Sequence, residues 1–312
     1  MIDWLMAGDP AIRWQVMRDL LDADPADVAA ERARVAHEGW GARILDLQLP
    51  DGSWDGGAHF PADFSRDEWE REGQAWSSTS HALTELRLLG AAPDDPRVAA
   101  AVEAVAAGVR WEHDGQRYFD GEVEPCINGQ LVALGAYFGR DVAPVVDRLV
   151  HERLGDGAWN CEAENGATVS SVDTTTDVLD GLGAWSRAHG RPAEVEDAIA
   201  TGLEYLLERR LFRRLSTGEA IDPTFLELAF PHRWRHTVLR ALDWMREDGR
   251  ARDPRCEEAV EAVRAKRLPD GRWPLERVWR GRRTIAMEEA GEPSRWITLQ
   301  AARVLRWWDA DA

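Results

Sequence analysis

The residues best able to do chemistry in this chain lie in its middle and later parts. Asp173, Asp177 and Asp180 stand at i, i+4 and i+7 with no Lys or Arg before Arg187, a spacing that puts three carboxylates on one face of a helix. If that face lines a cavity, it suits a hard cation such as Mg2+ bridging a diphosphate; if it meets solvent, it is a charged stripe. Ser170-x-x-Asp173 also reads as a capping box, in which Asp173 merely bonds the start of its helix. Positive charge concentrates at Arg209, Arg210, Arg213 and Arg214, then at Arg233, Arg235, His236 and Arg240. A guanidinium presents a planar fork to phosphate oxygens, so Arg233 and Arg235, with Asp177, are candidate contacts for a diphosphate. Arg233, Arg235 and Arg240 cannot all share one helical face, and the other reading of the cluster is solvated or acid-paired arginine. His81 and His236 are the candidate proton-transfer histidines, and His81 reads first as a satisfied core residue. A Cys in an apolar helix, as Cys126 is, reads first as a small buried hydrophobe.

The elements that must position these groups are set by three short stretches, LQLPDGSW (47 to 54), ERLGDGAW (152 to 159) and KRLPDGRW (266 to 273). Each is an Asp-Gly turn with a tryptophan two residues beyond the glycine. Glycine enters positive φ without a Cβ clash, and the tryptophan returns to pack on the helix just ended. Each turn is therefore expected to join two antiparallel helices. Asp9-Pro10 starts a helix with an acidic cap and proline at the first position. Further helices are expected near 26–37, 40–48, 75–89, 96–109, 126–138, 142–152, 170–188, 193–208, 232–246, 254–266 and 294–308, about twelve in all by their apolar period, and no sustained period of two indicates strands. The stretch 127–139 contains no charged residue and must be surrounded by protein, whereas 141–153 is charged along one side and faces water.

The first turn, preceded by GWGARILDLQ and carrying Gln48, resembles the QW motif of the squalene-cyclase and terpenoid-cyclase toroids, whose relatives include the β subunits of protein prenyltransferases. Arg153 and Arg267 occupy the glutamine position in the other two copies. The resemblance implies an all-α fold, an (α/α)6 barrel in which one domain spans 1–312 and the first helix closes against the last. It also implies that inner helices follow the DGxW turns and that functional groups collect where the inner helices begin.

Two alignments to this superfamily meet at one aspartate. Glu124-Pro125-Cys126 resembles the Asp-x-Cys zinc pair of the prenyltransferases, and Val172-Asp173-Thr174 falls where they place Tyr-His-Thr. The resemblance thus implies Zn2+ held by Glu124, Cys126 and Asp173, with Cys161 a further soft ligand nearby. Ser171 to Thr176 instead matches the D-x-D-D-T-A acid motif of class II terpene cyclases at the middle aspartate alone, where Asp173 would need burial to keep its proton.

Charge and composition bound the partners. With 38 Lys and Arg against 56 Asp and Glu, a net charge of −18, the surface argues against nucleic acid and anionic membrane. Three cysteines make no disulfide framework, the start MIDWLMAGDP lacks a signal-peptide pattern, and no apolar run approaches the ~20 residues of a membrane span, which together point to the cytoplasm. Sixteen tryptophans suit both turn staples and an aromatic cavity wall. The resemblance implies an enzyme acting on an apolar, isoprenoid-derived small molecule, completed by a second copy or a second subunit. The alternative is a non-catalytic toroid that binds a lipid or a protein. A third reading, a zinc toroid of lanthionine-cyclase type, lacks that group's double-Cys plus His signature.

Overall fold

A computed structural model describes residues 1–310, and the chain is predominantly helical. In order it forms α1 (Ile2–Met6), α2 (Pro10–Asp19), α3 (Pro25–Ala33), α4 (Gly39–Leu45), α5 (Arg66–Glu72), α6 (Thr79–Leu89), α7 (Pro96–Gly108), α8 (Pro125–Phe138), α9 (Ala143–His151), α10 (Val172–Ala188), α11 (Ala193–Glu208), α12 (Val238–Glu247) and α13 (Glu257–Ala265). There follow β1 (Trp273–Pro274), β2 (Pro293–Ser294) and α14 (Arg295–Asp309). Helices α2, α3 and α7 begin at Asp-Pro, where the carboxylates of Asp9, Asp24 and Asp95 accept backbone N–H groups of the first turn. Such a cap satisfies donors that the helix itself leaves unpaired. Helices α6 and α8 end at Gly90 and Gly139 in the left-handed conformation, the usual stop for a helix.

Each expected helix is present, with two late starts. Residues 75–78 stay extended because Trp76 donates to Arg282 O (2.6 Å) and accepts from the Thr284 N–H (3.3 Å), so α6 begins only at Thr79. Helix α12 begins at Val238 rather than 232, after a stretch in which Arg233 holds φ at +57°. The all-helical reading also needs correction by a two-residue antiparallel ladder, Trp273 opposite Ser294 and Pro274 opposite Pro293. Two residues cannot display a period of two. Helix α5 (RDEWERE) was not expected; it buries no residue and rests on its Ser65 cap, so no apolar period announces it.

The chain divides into two compact units, Met1–Phe119 with Asp270–Leu299, and Asp120–Pro269 with Gln300 onward. Within the first, the DGxW turn closes through Leu49 and Ser53, and Gly52 sits at φ +88°. A Cβ there would lie 2.4 Å from the Ala104 carbonyl of α7. The Trp54 indole donates to Ile44 O of α4 (2.7 Å), while the Trp54 backbone N–H reaches Thr79 Oγ1 at the start of α6 (3.2 Å). The third turn belongs to the same unit, and there the Trp273 N–H reaches Thr298 Oγ1 (3.0 Å). At the start of α14, Arg295 donates to the Trp4 carbonyl of α1 (3.1 Å).

The second unit repeats the device. The Trp159 indole donates to Leu149 O of α9 (2.7 Å) and its backbone N–H reaches Thr175 Oγ1 of α10 (3.5 Å). Arg153, in the position of Gln48, makes the same kind of bridge. Gln48 bonds Gly52 O and Ala101 O of α7, and Arg153 bonds Val150 O, Asp197 and Thr201 of α11. Helix α8 exposes no residue before Gly139 and crosses α10 at two glycines. A Cβ on Gly181 would lie 2.2 Å from the Gly129 carbonyl, and one on Gly129 would lie 2.6 Å from the Asp177 carbonyl oxygen. Contact this close sets the backbones of α8 and α10 against each other with no side chain between them at these positions.

The three turn tryptophans are 1%, 0% and 1% exposed at Trp54, Trp159 and Trp273, as staples must be. Trp54→Ala and Trp159→Ala should each cost about 3–5 kcal/mol in urea unfolding, and Thr175→Val about 1 kcal/mol. Unchanged midpoints in both tryptophan variants would show that the turns are incidental to stability.

Candidate metal centre

The start of α8 and a 3-10 turn held against the first turn of α10 bring together three donors from two segments. Glu124 is the N-cap residue of α8 and Cys126 its second residue. Cys161 opens a single 3-10 turn, 161–163, whose cap Asn160 accepts the Glu162 N–H (2.9 Å). The Cys161 backbone N–H is held by Thr174 Oγ1 (3.3 Å), one residue before the threonine that meets Trp159. A Glu124 oxygen and the two sulfurs all lie within 4.8 Å of one another, each residue half-buried, with Cys126 Sγ 3.5 Å from Glu124 Oε2.

Negative charge accumulates here. Burial, reinforced by Glu122, Glu162 and Glu164, raises the Glu124 carboxyl above its usual range. The hydrogen bond to Cys161 and burial push the Cys126 thiol well up. The same bond, with one from Thr174, brings Cys161 down to about 7. Two thiols and a carboxylate at this separation fit Zn2+, which takes thiolate, imidazole and carboxylate ligands tetrahedrally; three protein ligands leave one position open.

Asp173 is not among these donors. Its Oδ1 accepts the His236 N–H (2.7 Å) and its Oδ2 lies 3.6 Å from Arg235 Nη1; burial raises its pKa. The zinc set expected from the resemblance therefore gathers as Glu124, Cys126 and Cys161, with the aspartate drawn to the segment before α12. Nor is the capping box built as expected, because Ser171, not Ser170, caps α10 by accepting the Thr174 N–H (3.4 Å).

The acidic face of α10 is turned inward. Asp177 is fully buried and accepts from Arg240 Nη2 (2.6 Å) and Gln130 Nε2 (3.3 Å); Asp180 lies 4.0 Å from the same guanidinium. Burial outweighs Arg240 and pushes Asp177 up to about 7. Arg240 is thus a cation that this face meets. The arginines are largely engaged: Arg235 lies over Trp234, Arg209 over Tyr205, and Arg213 grips Glu258. Arg233 is buried.

His236 is buried with Nε2 2.8 Å from Leu211 O and Nδ1 2.7 Å from Thr176 Oγ1. Burial, aided by Arg240, holds it neutral, down to about 3. Both ring nitrogens are occupied within the core. His81 is buried in the other unit, 5.0 Å from the His59 ring and 5.2 Å from Trp76. His59 carries no motif that would have marked it in the sequence; it is buried, and burial lowers it to about 4. Thr174 and Thr175 were not singled out either, although the run Thr174 to Thr176 at a helix start was the visible signal. In the first unit, a cavity of about 550 Å³ lies beside Trp54 and Ser77, and another of about 590 Å³ is walled by Phe60, Phe64 and Trp69.

The chain matches no protein-family model, no curated protein and no solved structure. The likeness to toroid enzymes is carried by its residues alone.

A histidine whose pKa is depressed on folding adds stability that is complete above its unfolded value, about 6.5, and is lost as pH falls toward the folded value. His236 should therefore cost up to about 1.4 kcal/mol per pH unit below pH 6.5. His236→Gln should flatten the fall in melting temperature between pH 6.5 and 4.5; an unchanged slope would show that the ring does not titrate on unfolding.

Proposed function

We propose that this chain is a zinc-dependent enzyme of the α/α-toroid class, with the metal held by Glu124, Cys126 and Cys161 where α8 and α10 begin. The observation that carries the reading is the convergence of two sulfurs and a carboxylate within 4.8 Å from segments far apart in sequence. Zinc bound there would supply an open fourth position at which a water or a substrate thiol loses its proton readily or a substrate oxygen is polarised. The protein's part is to seat Glu124 and Cys126 at the start of α8 and Cys161 on the 3-10 turn held by Thr174 of α10, the two helices being locked by the Gly129 and Gly181 contact. The toroid architecture is supported by three DGxW turns, each leading from one helix into the next. Those turns are also what supports an apolar, isoprenoid-derived substrate, and a second copy or subunit would complete the site. Among the described residues no helix is long and apolar enough to cross a membrane, and the cysteine usage supports a cytoplasmic setting.

One observation favours the non-catalytic reading, a toroid that binds a lipid or a protein partner. Asp177 and His236 spend their polar atoms inside the core. Metal content separates the two.

Protein purified without added metal should carry close to one equivalent of zinc, and X-ray absorption should show Zn–S scattering near about 2.3 Å. Cys126→Ser and Cys161→Ser should each lose most of it, whereas Cys256→Ser and Asp173→Asn should keep it. Oxygen and nitrogen scatterers alone, or loss of metal in Asp173→Asn with retention in Cys161→Ser, would overturn this assignment.

A further inference from the structure

We propose that Cys126 and Cys161 are also a peroxide-sensitive thiol pair, a modification site that closes to a disulfide and so withdraws two of the three donors. Its consequence for metal rests on the zinc reading above; the disulfide does not.

The two sulfurs lie within 4.8 Å of each other. Both residues are half-buried, open to a small oxidant, while the third cysteine, Cys256, is fully buried with its sulfur against Met245 Sδ (3.9 Å). A disulfide needs the sulfurs about 2.05 Å apart. One partner is fixed, since Cys126 lies in the first turn of α8, whose crossing with α10 admits no side chain at Gly129 or Gly181. The other is adjustable: Cys161 stands on a single 3-10 turn anchored by Asn160 and Thr174, where side-chain rotation can close the gap.

The chemistry needs one hydroperoxide. Its distal oxygen passes to the Cys161 sulfur; an S–O bond forms, the O–O bond breaks, and the leaving oxygen takes the thiol proton as water or alcohol. The Cys126 sulfur then attacks the sulfenic sulfur; the S–S bond forms, the S–O bond breaks, and hydroxide leaves as water with the Cys126 proton. The two thiols lose two electrons and the peroxide gains them. A dithiol restores the pair by exchange.

The test uses the full chain, as purified and after stripping with a chelator, titrated with hydrogen peroxide, alkylated, and analysed by intact mass and peptide mapping. The expected product has lost two hydrogens, links the peptides of Cys126 and Cys161, leaves Cys256 free to alkylate after unfolding, and reverts with dithiothreitol. Zinc-loaded protein should release its metal in step with the link, read by a chromogenic chelator. Cys126→Ser should halt at a sulfenic acid on Cys161, trapped by dimedone. Sulfinic or sulfonic acids without the link, links only between molecules, or thiols left intact at peroxide that oxidises free cysteine would overturn the inference. Zinc binding without a link would sink this inference and spare the metal assignment; a link in protein that never holds zinc would do the reverse.

Discussion

A threonine hydroxyl at the start of a helix, receiving the backbone N–H of a turn tryptophan, is the contact on which the repeated element depends. Thr79, Thr175 and Thr298 play this part for Trp54, Trp159 and Trp273. The N–H is buried, and a buried donor without a partner costs about 1–3 kcal/mol, so the turn and the following helix must arrive together. In the second turn the neighbouring Thr174 does the same for Cys161. The sulfur is thereby delivered to the start of α10 by a structural device, two residues past the staple. What it meets there, Glu124 and Cys126, depends on α8 lying against α10 at glycine-limited distance.

That close contact also explains the buried charge. With α8 and α10 meeting through glycine, Gln130 donates directly to Asp177, and a buried carboxylate needs an opposite charge with good geometry. Arg240 of α12 supplies it. One turn further along α12, Asp243 accepts from Arg246 and from Arg303 of α14 (2.9 and 2.7 Å). Helices α10, α12 and α14 are thus joined through ionic contacts, in which removing one member strands another. Such networks absorb residues that look catalytic when read singly.

The second DGxW turn shows how a motif outlasts its signature. Glutamine at position 48 is a bridge from the turn to a helix beyond the one that Trp54 meets, Ala101 of α7, and any side chain with donors and enough reach can make that bridge. Arg153 makes it to α11 with more bonds. A departure from the pattern at this position therefore says little about loss of structure. A departure at the tryptophan would matter more, because the staple is a buried ring and its indole N–H must land on a carbonyl of the preceding helix.

The amino-acid sequence by itself determined the helices and their punctuation. Asp-Pro starts, Gly ends, DGxW turns and the chargeless run of α8 are local signals whose physics involves neighbours only a few residues away. Through its resemblance to the prenyltransferases it also singled out Glu124 and Cys126, with Cys161 nearby, as donors. Tertiary structure decided which of them meet. Asp173 was the expected partner of Glu124 and Cys126, with Cys161 a further ligand nearby, yet the His236 N–H and Arg235, distant in sequence, hold its carboxylate. His236 and Asp177 carried the right chemistry for a site, and only their burial against Thr176, Leu211 and Arg240 made them part of the core. The extended starts before α6 and α12 follow the same rule, because their backbone bonds go to Arg282, Thr284 and Asp173. Local preference cannot register a partner that only the folded chain brings within reach.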